Sequence, residues 1–136
     1  MNKIKVENVM SNTYVMVDGL ITVAEGIQLA KQKQVKALIV KKRHDDDEFG
    51  IVLMNDIAKK VLAQNRPTER TNIYEIMTKP ALSVSPDMNV KYCARLFERF
   101  GISRAPVIKN GEVVGMVSYN NIVLNGMAGI DNLEKK

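Results

Sequence analysis

Cysteine, histidine and tryptophan are almost absent from this sequence, and their scarcity excludes several classes of function. Among the 136 residues there is one cysteine, Cys93, one histidine, His44, and no tryptophan. A single thiol excludes an intramolecular disulfide, and one thiol with one distant imidazole makes neither a zinc site nor a convincing nucleophile pair. We therefore expect Cys93 to be a buried structural residue, as free cysteines usually are.

Long apolar runs and clustered charge of one sign are lacking as well. No apolar stretch approaches the roughly 20 residues of a membrane span, and the first residues do not resemble a secretory signal, so we expect a cytoplasmic protein without membrane partners. The net charge is +5, but only 5% of residues are aromatic, which counts against nucleic-acid binding. The basic trio Lys41, Lys42 and Arg43 is followed by the acidic Asp45 to Glu48, which would repel phosphate, so a solvated hairpin of mixed charge is favoured.

Catalytic motifs are also missing from the sequence. It has no glycine-rich phosphate loop, no cluster of metal ligands and no histidine placed beside a nucleophile. We therefore expect a protein that is not an enzyme and that requires no cofactor.

An internal repeat is the strongest feature that the sequence does contain. A shift of 67 residues matches identical pairs in order, and the shift becomes 65 after the HDDDE turn, where a hairpin tolerates two extra residues. The pairs are Met10 and Met77, Val17 and Val84, Val23 and Val90, Leu29 and Leu96, Val40 and Val107, Lys42 and Lys109, Gly50 and Gly115, Val52 and Val117, Asn55 and Asn120, and Ile57 and Ile122.

Each copy is organised as a short strand, a helix, a strand, a hairpin, a strand and a second helix. Thr22 and Glu25 form a capping-box pattern at the start of the first helix, and Gly101 is suited to end its counterpart. Asn110-Gly111 between two apolar runs is typical of a tight hairpin. We predict an α+β fold with two tandem β-α-β-β-α repeats, at residues 1–65 and 74–127, joined by a linker at 66–73 and followed by a tail at 128–136.

The motifs of both copies resemble those of the cystathionine beta-synthase (CBS) domain. They are Val9-Met10 and Ile76-Met77, Ser85-Pro86, the segment GISRAPVI, and a glycine-led strand that runs into a polar helix start. Together the copies are similar to a CBS pair, or Bateman module, of the stand-alone bacterial or archaeal type, over roughly residues 4–127. The resemblance implies two repeats packed face to face with pseudo-twofold symmetry, and a homodimer formed through apolar helix stripes that here include Phe97, Phe100, Val61 and Leu62.

The resemblance also implies an adenine nucleotide, AMP, ADP or ATP, in two clefts between the repeats. The family pattern is a glycine-led strand ending in Ser or Thr, with Asp three residues later; the hydroxyl would hold phosphate and the carboxylate the ribose hydroxyls. Both copies depart from it. One has Ser118 but Asn121, whose carbonyl oxygen would serve the ribose, and the other has Asp56 but Leu53.

Carried over by position, the resemblance gives a set of ligand-binding residues for each cleft. The cleft of the second repeat would be lined by Ser118, Asn121 and Met116, with Ser103 and Arg104 near the phosphates and Val35 and Lys36 from the first repeat. The cleft of the first repeat would be lined by Asp56, Ile51, Lys36 and Ala37, with Ile102 and Ser103 from the second repeat.

Alternatives accompany this prediction at the level of the site and at the level of function. Ser118 by itself is an adequate N-cap, so helix capping without a ligand explains the same residues. At the level of function, the leading hypothesis is a regulatory nucleotide sensor that signals to a partner protein. The alternatives are a ligand-free dimerisation or interaction module with vestigial clefts, and a binder of S-adenosylmethionine.

Overall fold

The computed structural model describes residues 4–127, which form two compact units. One unit contains residues 4–12 together with 82–127, and the other contains residues 13–81. The predicted tail at 128–136 lies outside the described residues. In chain order, the elements are α1 Val6–Val9, β1 Met16–Val17, α2 Val23–Lys33, β2 Ala37–Val40, β3 Gly50–Leu53, α3 Met54–Ile57, α4 Val90–Phe100, β4 Arg104–Lys109, β5 Glu112–Ser118 and α5 Tyr119–Asn121.

Helices α3 and α5 do not end at their last α-helical residue, because each continues into a wider π-type segment. These segments are Ala58–Leu62 after α3 and Ile122–Met127 after α5. A 3-10 turn, Ile73–Glu75, precedes the second half of the chain. The α+β class predicted from the sequence is confirmed by these elements.

The strands pair in the same way in both units. Within residues 13–81 the order is β1-β2-β3, with β1 parallel to β2 and β2 antiparallel to β3, so that Val40 faces Gly50. In the other unit β4 and β5 are antiparallel, and Val107 faces Gly115. Val84 makes a single parallel bridge to Val107, in the position that β1 occupies in the unit of residues 13–81.

The helix and turn signals of the sequence are confirmed in detail. The Thr22 hydroxyl accepts a hydrogen bond from the Glu25 amide at 3.1 Å, while the Glu25 carboxylate accepts one from the Thr22 amide at 3.2 Å. Gly101 ends α4 in the left-handed conformation, with φ of 65°. Asn110 and Gly111 both have positive φ, 54° and 79°, which is the geometry of a tight hairpin turn.

Each unit has its own apolar core. Cys93 is completely buried, as expected, and lies among residues of the core that also holds Phe97. The prediction that Phe97 and Val61 form part of a dimer face is wrong, because both side chains are fully buried within their own units. Their neighbours on that predicted face, Phe100 and Leu62, are exposed. Helical spacing marks an apolar stripe, but it does not tell which edge of the stripe faces the core.

The beginning of each sequence repeat packs in the unit that holds the hairpin of the other repeat. Met10 lies against Gly115, and a methyl group added to that glycine would be 2.8 Å from the methionine Sδ. Met77 lies against Gly50 at the same distance. The boundaries of the compact units therefore differ from the predicted boundaries of the sequence repeats. The repeat boundaries stay a prediction.

Part of the segment predicted as a linker, residues 66–73, is packed inside the unit of residues 13–81. Thr71 and Ile73 are buried, and the Thr71 carbonyl accepts a hydrogen bond from the amide of Val23 at the start of α2. Helices α2 and α4 have eleven residues each, and none of the helices in residues 4–127 has the length and apolar character needed to cross a bilayer.

Gly115→Ala is expected to lower the free energy of unfolding by about 1–3 kcal/mol, as overpacking of a filled site usually does. The new methyl group would lie 2.8 Å from the Ser11 carbonyl oxygen, which is fixed by a hydrogen bond from the Met116 amide. Urea unfolding followed by circular dichroism measures the loss.

Gly50→Ala is the matched control. Its methyl group would meet the flexible end of Met77 at 2.8 Å and a side-chain carbon of Val40 at 3.3 Å, so we expect a smaller loss. Combining it with Met77→Ala is expected to cost less than the sum of the single changes. Equal losses at the two glycines would contradict the role given to the Ser11 carbonyl.

The Cys93 thiol is expected to be unreactive in the folded protein. Burial raises its pKa from 9.0 to about 11, because the thiolate is disfavoured away from water. Labelling by a disulfide reagent at pH 8 should therefore be at least about 100-fold slower in native protein than in urea. The same shift predicts that stability relative to Cys93→Ala is retained below pH 9 and falls as the pH rises toward 11. Rapid native labelling would contradict the buried position.

Candidate functional site

The predicted site residues lie where the hairpin of each unit runs into its second helix. In one unit, the Tyr119 amide donates to the Ser103 carbonyl at 3.0 Å. In the other, the Met54 amide donates to the Lys36 carbonyl at the same distance. The two bonds are equivalent under the sequence repeat, so both units present the same backbone arrangement at this point.

Ser118 and Asn121 form a closed hydrogen-bond network at the start of α5. The Ser118 hydroxyl accepts from the Asn121 amide at 3.2 Å and donates to the Asn121 Oδ1 at 3.1 Å, while the Ser118 amide donates to the same Oδ1 at 3.0 Å. Ser118 is buried, and its side chain caps the start of α5. The Ser118 hydroxyl and the Asn121 Oδ1 thus use their hydrogen bonds on each other's residue. The Asn121 Nδ2 has no partner among the described residues.

Asp56 takes the same position at the start of α3. Its Oδ2 accepts a hydrogen bond from the Leu53 amide at 3.1 Å, which corresponds to the bond from the Ser118 amide to Asn121. Its Oδ1 makes no hydrogen bond to any described residue. Leu53 has no polar side-chain atom, so in this unit the helix start carries a partly free carboxylate and no hydroxyl.

The other predicted residues of the second repeat lie on β4, β5 and the turn before them. Arg104 faces Ser118 in the strand register, and burial lowers the pKa of its guanidinium. Met116 faces Pro106, and both its backbone groups bond to Ser11. Ile102 and Ser103 precede β4; Ile102 is partly buried and Ser103 is exposed.

In the other unit, the predicted residues lie at the start of β2 and on β3. Ala37 is buried and faces Leu53, and Lys36 precedes it on an exposed position. Val35 is partly buried, and Ile51 is buried on β3. The structure thus brings the residues of each repeat to one end of its hairpin. The predicted sharing of Val35, Lys36, Ile102 and Ser103 between repeats stays a prediction.

Sequence reasoning missed two residues at this location, Ser11 and Thr78. Each forms an antiparallel bridge beside the glycine-led strand, Ser11 with Met116 and Thr78 with Ile51. The signal was present in the sequence, because Val9-Met10-Ser11 and Ile76-Met77-Thr78 match under the repeat. In the part of the chain that the structure describes, no group of three or more His, Cys, Asp or Glu could hold a metal ion.

Comparison with known proteins agrees with this duplicated arrangement. Residues 73–126 match the family model of the CBS domain. The chain is 30% identical, over 105 residues, to the mitochondrial CBS domain-containing protein CBSX3 of Arabidopsis thaliana; the match covers 75% of the chain and 51% of that protein. The chain spans about half or less of the length of the first curated relatives that it matches.

Two solved structures extend the similarity over most of the chain. A hexameric CBS-CP12 protein from bloom-forming cyanobacteria is 37% identical, with a TM-score of 0.88, over 90% of this chain and 72% of that one. The CBS domain pair of MJ0100, in complex with 5′-methylthioadenosine and S-adenosyl-L-methionine, is 27% identical, with a TM-score of 0.77, over 89% and 98%. Some structural neighbours therefore bind adenosine-containing ligands. With two equivalent units, the glycine-led hairpins and these relatives, the chain belongs to the CBS domain family as a CBS domain pair.

Proposed function

We propose that this protein is a regulatory CBS pair that binds an adenosine-containing ligand and signals its presence to a partner protein. The observation that carries the proposal is the hydrogen bonding of Asp56. One of its carboxylate oxygens accepts a hydrogen bond at the helix start, and the other accepts none from the described residues. The complex of the MJ0100 pair with two adenosine compounds supports it.

Asp56 has the chemistry that a ribose requires. A carboxylate accepts hydrogen bonds only, and vicinal ribose hydroxyls can donate two of them. Because the Leu53 amide occupies Oδ2, it fixes the carboxylate orientation while Oδ1 stays available. A hydrogen bond to a charged acceptor contributes about 1.5–3 kcal/mol, against about 0.5–1.5 kcal/mol for a neutral one.

Asn121 would contribute in a different way from the one that the sequence suggested. Its carbonyl oxygen already accepts two hydrogen bonds from Ser118, so it is a poor candidate for a ribose acceptor. Its Nδ2 is the group that remains, and it is a donor. The unit of Ser118 is therefore suited to an acceptor on the ligand, such as a ribose oxygen or a phosphate oxygen.

The adenosine part of the ligand is the part that both units would bind. Leu53 supplies no hydroxyl for phosphate, and the Ser118 hydroxyl is engaged in the helix cap. AMP, ADP and ATP remain candidate ligands, with Arg104 as a partly buried cation on the strand beside Ser118. S-adenosylmethionine and 5′-methylthioadenosine lack phosphate, and they match the Asp56 chemistry directly.

Regulation requires that the ligand favour one conformation of the pair over another, because only a difference in affinity shifts an equilibrium. A partner that binds the favoured conformation would then detect the ligand. We propose a homo-oligomer as the responding assembly, and the hexameric CBS-CP12 relative supports self-association. The exposed apolar residues Leu62, Leu124 and Phe100 are available for it within the described residues.

Reciprocal exchange of the two helix-start residues tests the proposal. Asp56→Asn is expected to weaken adenosine-compound binding about 5- to 10-fold through loss of the charged acceptor. Asn121→Asp replaces the free Nδ2 donor with a carboxylate oxygen, so it should tighten binding of the phosphate-free compounds, through their ribose hydroxyls, by a similar factor. Both variants should fold, because each residue type already caps an equivalent helix in this chain. Isothermal titration with AMP, ADP, ATP, S-adenosylmethionine and 5′-methylthioadenosine measures the affinities.

Thermal unfolding with and without each compound provides the control. A ligand at a hundred times its dissociation constant should stabilise the wild-type protein by about 2.7 kcal/mol. Lys31→Gln, an exposed change on α2, should leave every affinity unaltered. If folded wild-type protein and Asn121→Asp both ignore all five compounds, the ligand-free interaction module replaces the sensor.

A further inference from the structure

A depression in the unit of residues 13–81 lies away from the helix start described above. Its volume is about 570 Å³, within the range of roughly 300–1,000 Å³ that small-molecule sites occupy. It lies at the carboxyl end of β2, opposite the end that leads from Lys36 into the strand. Its lining residues are Asp18, Gly19, Leu20, Val40, Lys41, Lys42, Arg43, Tyr74, Met77 and Lys79.

The lining combines an apolar and aromatic surface with an excess of positive charge. Among the described residues, four cationic side chains line it, Lys41, Lys42, Arg43 and Lys79, against one carboxylate, that of Asp18. Asp18 directs one carboxylate oxygen to the Leu20 amide at 2.8 Å, so part of its hydrogen-bonding capacity is used inside the turn.

Asp47 holds two of the cations in place. It contacts the Lys79 ammonium at 2.7 Å and the Arg43 Nε at 3.5 Å, and it also accepts a hydrogen bond from the Arg43 amide at 2.8 Å. The hydrogen bond from Lys79, followed by that from the Arg43 amide, holds the pKa of Asp47 well below its usual range. Lys42 is placed over the Phe49 ring at 5.0 Å.

These contacts revise the expectation drawn from the basic trio and the acidic run after it. The sequence suggested that the acidic residues would repel phosphate. In the structure Asp47 is committed to Lys79 and Arg43, and the other three acidic residues of the run, Asp45, Asp46 and Glu48, are exposed and do not line the depression.

Three of the four cations have no charged counterpart in the other repeat. Under the shift of 67 residues, Lys41, Arg43 and Lys79 correspond to Ile108, Asn110 and Asn12. One backbone bond is nevertheless shared, since the Lys41 amide donates to the Val17 carbonyl and the Ile108 amide to the Val84 carbonyl. The three charges are therefore additions to a shared scaffold.

We propose that this depression is a second binding site, for a small molecule that carries a phosphate group on an apolar or aromatic body. Lys41, Lys42 and Arg43 would contact the phosphate, because ammonium and guanidinium groups supply charged donors to its oxygens. Tyr74 is half exposed and Met77 partly buried, and together with Val40 they offer a surface for the body of the ligand. This site shares none of its lining residues with the adenosine site proposed above.

Amide chemical-shift mapping of the ¹⁵N-labelled full chain tests the site with phenyl phosphate as the probe. We expect saturable shifts at Gly19, Tyr74 and residues 40–43, with a dissociation constant in the low millimolar range or below. Inorganic phosphate should bind at the same amides more weakly, and benzyl alcohol, which lacks the anion, should bind at least tenfold more weakly. Raising the ionic strength should weaken phenyl phosphate binding.

The double variant Lys41→Gln/Arg43→Gln is expected to weaken phenyl phosphate binding at least tenfold. Both side chains are exposed, and the variant's own spectrum reports whether it is folded. Lys31→Gln/Lys33→Gln removes the same charge from exposed positions of α2 in the same unit and should change the affinity less than twofold.

Three outcomes would overturn the second site. They are the absence of shifts at these amides up to 10 mM probe, equal weakening in both double variants, and equal binding of benzyl alcohol. Because the reporter amides differ from those around Asp56 and Ser118, loss of this site and loss of the adenosine site are distinguishable.

Discussion

The absence of a side chain at Gly50 and Gly115 is the constraint on which the rest of the structure depends. Each glycine leaves room for a methionine sulfur from a distant segment, Met77 in one unit and Met10 in the other, where a methyl group would stand 2.8 Å from Sδ. Beside each methionine, the same segment bridges to the residue after the glycine, Thr78 to Ile51 and Ser11 to Met116, and at Gly115 an added methyl group would meet that segment's own backbone at Ser11. The contact thereby fixes the strand that leads into the helix start, where the site lies.

Backbone hydrogen bonds, more than side chains, are what the two units share. In the unit of residues 13–81, amides donate to carbonyls in the pairs Val23 to Thr71, Tyr74 to Gly19 and Ile73 to Ile21. In the other unit, the matching pairs are Val90 to Ile4, Glu7 to Pro86 and Val6 to Met88. Every one of these pairs is related by the shift of 67 residues, with the opening segments exchanged. A repeat as cut from the sequence thus lacks the segment that completes its own hairpin, which gives a physical reason for the tandem arrangement.

The features that the sequence predicted are those with local causes. The Thr22 cap, the Gly101 helix end and the Asn110-Gly111 turn each depend on residues a few positions apart, and all three formed as expected. The exchange of the opening segments was not predictable, because Met10 and Met77 are identical residues and either would fit either glycine. At the site, the sequence spacing identified Ser118 and Asn121, but only the structure shows that the Asn121 carbonyl oxygen already accepts hydrogen bonds from Ser118.

Both helix starts depart from the family pattern, but each keeps the side-chain oxygen that the fold needs. In both units an oxygen of the residue three positions after the strand end, Asp56 or Asn121, accepts the backbone amide of that end. An aspartate and an asparagine both perform this task, and α3 starts after Leu53 without a hydroxyl. Stability therefore leaves the charge at this position free to vary, whereas binding of a ribose does not, because a carboxylate and an amide differ in what they accept and donate. The same reasoning applies to position 41, where the scaffold accepts either a charged or a neutral residue, whereas the charges at positions 43 and 79 also pair with Asp47 within the fold.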